Sequence, residues 1–130
     1  MNVTTETTVT DSTLSNRQRK LLNLAARLAE TSEVQHRHGA VIVKSGSVIS
    51  TGVNKWRNKT ANPPTSTEYN PDLSYHAEVD AINHANTDLT GATIYIARIN
   101  KNGDERMSRP CPRCANAIKE AGIRKVVYTS

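Results

Sequence analysis

The chain of 130 residues contains no phenylalanine and only two cysteines, and its apolar runs are no longer than a strand. The longest run, Ala40 to Val43, falls far short of the roughly 20 residues needed to cross a membrane. Met1 to Thr13 has no basic segment followed by an apolar one, so we expect no secretory signal. Two closely spaced cysteines without an export signal do not suggest a disulfide scaffold. These absences favour a cytoplasmic, reducing setting and no membrane partner.

What is present suffices for one domain with a modest core, since 36% of the residues are hydrophobic. The formal net charge of +5 slightly favours phosphate-bearing partners. Residues 1–14 are polar and rich in threonine, so we predict a disordered tail there. We assign residues 15–130 to the folded domain.

Hydrophobic spacing and turn residues predict the element order α-β-β-α-β-α-β. A capping-box pattern, Ser15 to Gln18, opens the first helix. A strand-helix-strand crossover makes neighbouring strands parallel, so we expect an α/β fold of three layers, α-β-α, around a mixed sheet of four or five strands. The predicted helices cover about Asn16–Thr31, His76–Asn86 and Pro112–Ala121, and the strands Ala40–Lys44, Ser47–Val53, Ala92–Ile99 and Lys125–Thr129, with a hairpin turn at Ser45-Gly46.

The segment from Lys55 to Tyr75 is long, polar and rich in proline. Loops of this length in compact domains tend to be functional or disordered, and this one leads directly into His76. Its basic start, Lys55 to Lys59, includes the only tryptophan, Trp56. It could bind phosphate and stack on a base, as in single-strand binders. It could equally be a solvated loop that the tryptophan anchors to the core.

Two short motifs carry the chemistry: His76-Ala77-Glu78 and, after Pro110, Cys111-Pro112-Arg113-Cys114. Structural zinc sites use four protein ligands, whereas catalytic sites use three and leave a position for water. His76, Cys111 and Cys114 supply three. Glu78 lies only two residues from His76 in the sequence, so it could be a fourth ligand only with strain. It is well placed to accept and donate protons beside the metal. The pattern H-x-E…P-C-x-x-C is the signature of zinc-dependent base deaminases.

Both motifs fall at predicted helix starts, whose partial positive charge should lower the pKa of both thiols. We therefore expect thiolates at Cys111 and Cys114, a neutral His76 and one zinc ion per chain. Zinc-activated water would attack a carbon that bears an amino group, while Glu78 moves protons from the water to the ring nitrogen and the leaving amine.

These residues allow two other interpretations. A redox Cys-x-x-Cys pair would need neither Glu78 nor Pro110. A closed structural zinc site would need a fourth ligand from the remaining histidines, which lack finger-like spacing. We expect His36 and His38 to lie at the surface or in hydrogen bonds and His84 to face solvent, and we assign them no role.

The chain resembles the cytidine deaminase superfamily, in particular its deoxycytidylate deaminase-like branch, from about Leu21 to Tyr128. The resemblance implies a deaminase fold, zinc on His76, Cys111 and Cys114, and Glu78 as proton shuttle. It also implies that Asn54 contacts the substrate sugar or base and that Ala40 lies against the base. We assign Ala77, Tyr75, Arg109 and Pro110 to substrate binding as well. The segments that carry the resemblance are His38–Val43, Thr51–Asn54, Ser74–Ile82, Arg109–Cys114 and Ala121–Tyr128.

We therefore predict a hydrolytic deaminase that converts a cytosine nucleoside or nucleotide, preferably of the dCMP type, to the uracil product and ammonia. One alternative is a polynucleotide deaminase acting on cytosine or adenine in single-stranded DNA or tRNA. A catalytically silent zinc module is another. Relatives often continue with a further helix and strand and assemble into oligomers, so by resemblance we expect a homo-oligomer that completes its pockets across subunits.

Overall fold

The computed structural model describes residues 5–8, 14–34, 36–56 and 74–129, with backbone only for residues 5–8, 56, 74 and 75. All predicted helices and strands are present, joined by short additional strands. The helices are α1 (Asn16–Ala29), α2 (Ala77–His84) and α3 (Pro112–Glu120). The strands are β1 (Thr5–Thr8), β2 (Arg37–Lys44), β3 (Ser47–Val53), β4 (Lys55–Trp56), β5 (Ser74–Tyr75), β6 (Thr93–Ile99), β7 (Glu105–Arg106) and β8 (Lys125–Tyr128).

Helix α1 begins where the capping box predicts. The Ser15 side chain accepts a hydrogen bond from the Gln18 backbone N–H, and the Gln18 side chain accepts one from the Ser15 backbone N–H. These reciprocal bonds satisfy amides that would otherwise lack partners in the first turn. The helix ends at Ala29, before the predicted Thr31.

The hairpin β2–β3 turns at Ser45 and Gly46, which both have positive φ values, 52° and 83°. Two successive left-handed residues suit the right-handed twist of the flanking strands. Strand β2 begins at Arg37, earlier than the predicted Ala40, because Arg37, His38 and Gly39 continue the antiparallel pairing with β6.

The main sheet is mixed, as predicted, with strand order β1-β8-β6-β2-β3 and β7 paired to the end of β6. Strand β8 runs parallel to β6 and β1, whereas β2 runs antiparallel to β6 and β3. Helix α1 packs on one face, through Leu22 and Ala25 against Val41 and Tyr95. Helices α2 and α3 cover the other face, so the three-layer α-β-α prediction is confirmed.

One segment differs from its prediction: Thr5–Thr8, inside the expected disordered tail, pairs with Lys125–Tyr128. Threonine is β-branched and favours strands, and the outer edge of β8 offers unpaired backbone groups. The domain boundary after residue 14 stays a prediction.

Strands β4 and β5 form a separate two-stranded ladder, in which Lys55 pairs with Tyr75 and Trp56 with Ser74. This ladder brings together the two ends of the long loop predicted to be functional. Residues 57–73 of that loop lie outside the described residues. Within the described part of the chain, every helix is too short or too polar to cross a lipid bilayer.

Candidate metal centre and active site

The three predicted ligands stand at the starts of two neighbouring helices. His76 is the N-cap residue of α2 and Cys111 that of α3, each with extended backbone. Pro112 occupies the first turn of α3, where a missing N–H costs nothing, and Cys114 lies in the same turn. Neither N-cap side chain closes its own helix within the described part of the chain. The Nδ1 atom of His76 instead faces the sulfur atoms of Cys111 and Cys114.

The donor atoms of His76, Cys111 and Cys114 lie within 4.8 Å of one another. The Nδ1 atom of His76 is 3.6 Å from the Cys111 sulfur and 3.0 Å from the Cys114 sulfur. Tetrahedral zinc with ordinary bond lengths would separate nitrogen and sulfur donors by about 3.5 Å. The arrangement fits one zinc ion after an adjustment of a few tenths of an ångström at Cys114, and the prediction of one zinc per chain is confirmed.

Burial decides the protonation of these ligands. It lowers the pKa of His76, helped by the positive charge of Arg113, so the imidazole is kept neutral and able to bind a metal. Burial also raises the pKa of Cys114, and the nearby Glu78 carboxylate acts in the same direction. The prediction that the helix start lowers both thiol pKa values is therefore wrong for Cys114 in the metal-free chain. A bound divalent cation would reverse this effect, because a coordinating thiol is deprotonated.

Glu78 lies in the first turn of α2 and is only 4% exposed. Burial raises its pKa, and hydrogen bonds to its own backbone N–H and to the Cys114 side chain oppose the rise. A buried carboxyl group beside a metal site can take up and release a proton more easily than a solvated one.

A cavity of about 150 Å³ opens beside the ligands. Pockets for drug-sized ligands measure about 300–1,000 Å³, so this one matches a single ring better than a whole nucleotide. It is lined by His38, Asn54, His76, Glu78, Ser108, Arg109 and Cys111.

The residues predicted to bind substrate are divided between the cavity and its surroundings. Asn54 and Arg109 line the cavity. Ala40 and Ala77 are fully buried, and Pro110 is buried; none of the three is among the lining residues. The Tyr75 side chain lies outside the described residues. These assignments stay predictions.

Asn54 has a structural task whatever it does for substrate. Its Oδ1 accepts a hydrogen bond from the His38 backbone N–H at 2.9 Å, and its Nδ2 donates to the His36 carbonyl. The side chain is 1% exposed. The amide thus ties the end of β3 to the start of β2.

Sequence reasoning gave no role to two lining residues, His38 and Ser108. The sequence does contain a signal for His38, because strand residues two apart share a face and the family resemblance implies that Ala40 lies against the base. Ser108 had no such signal. Its Oγ lies 2.9 Å from the Ile96 carbonyl and accepts from the Thr129 N–H at 2.9 Å, so it holds the segment before Cys111 against β6 and β8.

Lys55, the first residue of the basic segment, forms an ion pair with Asp80 at 2.9 Å. Asp80 also accepts a hydrogen bond from the Val53 backbone N–H at 3.1 Å. The Asp80 carboxylate therefore joins α2 to the end of β3. The charged amino group of Lys55 faces this carboxylate of the same chain. Of the segment's other members, Trp56 has only its backbone described and Arg57, Asn58 and Lys59 lie outside the described residues.

Known proteins resemble the chain in sequence and fold. An uncharacterized deaminase in the luxG 3′ region of Aliivibrio fischeri is 33% identical over 92 residues, covering 68% of this chain and 54% of that protein. Human deoxycytidylate deaminase is 32% identical over 105 residues, covering 71% and 52%. The chain thus spans about half the length of these curated relatives. The dCMP deaminase of cyanophage S-TIM5, solved in complex with dCMP and dUMP, has the same fold, with a TM-score of 0.71 and 21% identity over 90% of this chain and 85% of that one.

The model of the cytidine and deoxycytidylate deaminase zinc-binding region matches residues 15–130. This match includes the elements from α1 to β8, and with them both ligand-bearing helices and the cavity. The chain therefore belongs to the cytidine and deoxycytidylate deaminase family.

Proposed function

We propose that the chain is a zinc-dependent hydrolytic deaminase that converts a cytosine nucleotide to the uracil nucleotide and ammonia. One observation carries the proposal: three metal donors converge on one point, and two of them, His76 and Cys111, border the same small cavity as the buried carboxyl group of Glu78. A closed structural site would have no use for Glu78. Among the described residues, the donor group contains His76, Cys111 and Cys114 and no further His, Cys, Asp or Glu.

When bound, zinc would supply a water molecule whose pKa is lowered towards about 7, ready to attack the amino-bearing ring carbon. Glu78 takes a proton from this water and delivers it to the ring nitrogen. The same carboxyl group then transfers the second proton to the departing amino group. One water is consumed, the carbon–nitrogen bond breaks, and ammonia and a carbonyl group result.

A dCMP-type substrate is supported by two considerations. Relatives that the chain resembles include human deoxycytidylate deaminase and a phage dCMP deaminase. In addition, Arg109 is exposed and lines the cavity that would hold the ring, so its positive charge is placed to meet a phosphate outside the cavity. Arg113, exposed in the first turn of α3, adds positive charge on the same side of the site.

The test is an ammonia-release screen of the zinc-loaded chain. Free bases, nucleosides and monophosphates of cytosine, adenine and guanine are compared with short single-stranded oligonucleotides, and a Glu78→Gln variant reports background activity. The highest kcat/KM is expected for dCMP. Turnover restricted to guanine or adenine compounds would overturn the substrate assignment.

The same screen separates the two other candidates. A polynucleotide deaminase would favour oligonucleotides, and their binding would weaken steeply with salt because phosphate contacts release counterions. A silent zinc module would retain the metal but release no ammonia from any compound. Either result would contradict the proposal.

Self-association and a cytoplasmic location belong to the proposal as well. Self-association rests on the family resemblance, and the cytoplasmic location rests on the two closely spaced cysteines, which suit a reducing setting. Sedimentation at several concentrations would measure the mass of the particle, and a purely monomeric chain would contradict the first of the two.

A further inference from the structure

His38 borders the cavity but has no part in the proposed proton transfers. It lies at the start of β2, on the strand that also carries Ala40. Its Nδ1 atom is 3.1 Å from the carbonyl oxygen of His36. A carbonyl oxygen can only accept, so Nδ1 must carry the hydrogen of this bond. In the neutral ring, Nε2 is then left as an acceptor.

The surroundings of the ring keep it neutral. Burial lowers the pKa of His38 to about 4; the positive charge of Arg98 and the neighbouring His76 and His36 add to the effect, while the hydrogen bond to the His36 carbonyl opposes it. Arg98 Nη2 lies 2.8 Å from His36 Nδ1 and can only donate, which fixes the His36 ring beside it. A charged His38 that donates from both nitrogens is therefore disfavoured.

Nε2 of His38 has no hydrogen-bond partner among the described residues. His38 is half-buried and borders the cavity, so a ligand that displaces water from the cavity would leave this acceptor unpaired unless the ligand itself supplies a donor. Asn54 lines the same cavity, but its Oδ1 is already occupied by the His38 backbone N–H. Of its two amide hydrogens, one is directed at the His36 carbonyl, and the other has no partner in the part of the chain that the structure describes.

His38 and Asn54 thus offer the cavity one acceptor and one donor, held side by side through the same His36 carbonyl. A hydroxyl group can donate one hydrogen bond and accept another through the same oxygen atom. We propose that His38 is a specificity-determining residue that accepts a hydrogen bond through Nε2 from a sugar hydroxyl of the substrate, while Asn54 donates to the same hydroxyl oxygen. This inference rests on the proposed deaminase function and adds a preference for hydroxylated sugars.

The kinetic test uses cytidine, deoxycytidine and dideoxycytidine monophosphates with three proteins: the unchanged chain, His38→Phe and His38→Gln. Phenylalanine keeps a ring of similar size without an acceptor, whereas glutamine retains an acceptor oxygen. Metal content and the midpoint of thermal unfolding establish that each variant is folded and loaded.

For the unchanged chain, kcat/KM for the preferred hydroxylated substrate should exceed that for the dideoxy compound by roughly tenfold to a hundredfold, as expected for the loss of one hydrogen bond. This ratio should collapse towards one in His38→Phe and be partly restored in His38→Gln. An unchanged ratio in His38→Phe, with deamination intact, would overturn the role of His38 and leave the proposed function standing. Failure of the unchanged chain to deaminate any compound would instead overturn the proposed function, and with it the sugar assignment.

A second measurement does not depend on turnover. Nitrogen-15 NMR of the imidazole side chains in the zinc-loaded chain distinguishes a protonated from an unprotonated ring nitrogen. We expect His38 at pH 7 to carry its hydrogen on Nδ1 alone, with the Nε2 signal shifting when dCMP or dUMP is added. A hydrogen on Nε2, or no shift at saturating nucleotide, would overturn the inference whatever the kinetics show.

Discussion

At the scale of single residues, Glu78 is the position where we expect a substitution to abolish most of the activity without removing the metal. Its carboxyl group is buried beside the metal donors but is not one of them. Glu78→Gln keeps the size and loses the ability to move protons, so kcat should fall by about 10²- to 10⁴-fold, as expected for a general acid–base. Ammonia release measures the loss, and metal analysis should still find one zinc per chain.

The matched control is Glu120→Gln, the same chemical change at an exposed residue in the last turn of α3. It should leave kcat and zinc content as they were. A Glu78→Gln protein that retains activity within a few-fold, or one that loses its zinc, would contradict the role given to Glu78.

Some residues of the metal centre and its cavity can be predicted from the sequence, and others cannot. His76, Glu78, Cys111 and Cys114 could be identified because each pair sits on a single helix start, where sequence spacing fixes the distance between side chains. Ser108 could not, because its partners lie on β6 and after β8 and are brought to it only by the sheet. The pKa of Cys114 was misjudged for a similar reason, since burial depends on everything that packs around it.

At the scale of elements, the close approach of α2 to the sheet depends on Gly52. A Cβ atom at this position would lie 2.3 Å from the Ala77 carbonyl oxygen and 2.4 Å from the Ala81 nitrogen. Gly52→Ala must therefore push away the helix that carries His76 and Glu78. Overpacking of this kind costs about 1–3 kcal/mol of the free energy of unfolding.

We expect Gly52→Ala to lower both the stability to urea and the affinity for zinc, measured by competition with a chromophoric chelator. Gly103→Ala is the control. Among the described residues, no atom lies within 4 Å of a Cβ built on Gly103. Gly103 has a positive φ of 85°, so the substitution adds only local backbone strain. A zinc affinity that falls equally in both variants would show that the position of α2 is not what matters.

Which elements could be predicted follows from their length. Helices of two or more turns and strands of four or more residues have a hydrophobic period, and α1, α2, α3, β2, β3, β6 and β8 were all foreseen. The pairs β4–β5 and β6–β7 involve two-residue strands, which are too short for any period. Strand β1 is an exception to this rule: it has four residues, but its sequence Thr-Glu-Thr-Thr contains no apolar residue, and its partner β8 lies at the other end of the chain.

At the scale of the whole molecule, the burial of His38 makes folding sensitive to acid. Its pKa is lowered to about 4 in the folded chain, chiefly by burial, against about 6.5 for a solvated imidazole. The unfolded state therefore binds the proton first, and the free energy of unfolding should fall as the pH drops from about 6.5 to about 4. Arg98, His36 and His76 are the charged or titratable groups that act on the ring.

Urea unfolding at a series of pH values tests this, with the unchanged chain compared with His38→Gln. Protonation of the metal ligands also destabilises both proteins in acid, and the comparison removes that shared contribution. The variant should lose less stability between pH 6.5 and pH 4. If the free energy of unfolding fell equally with pH in both proteins, His38 would not be a source of the acid sensitivity.

The first turns of α2 and α3, which begin after His76 and Cys111, are expected to open together. Most N-cap side chains close their own first turn, as Ser15 does for α1, so each helix loosens independently. His76 and Cys111 instead point at a shared cation site, which links the opening of α2 to that of α3. Chelating the ion should accelerate amide hydrogen exchange in both first turns together and leave the first turn of α1 protected. Acceleration confined to one of the two would mean that they open separately.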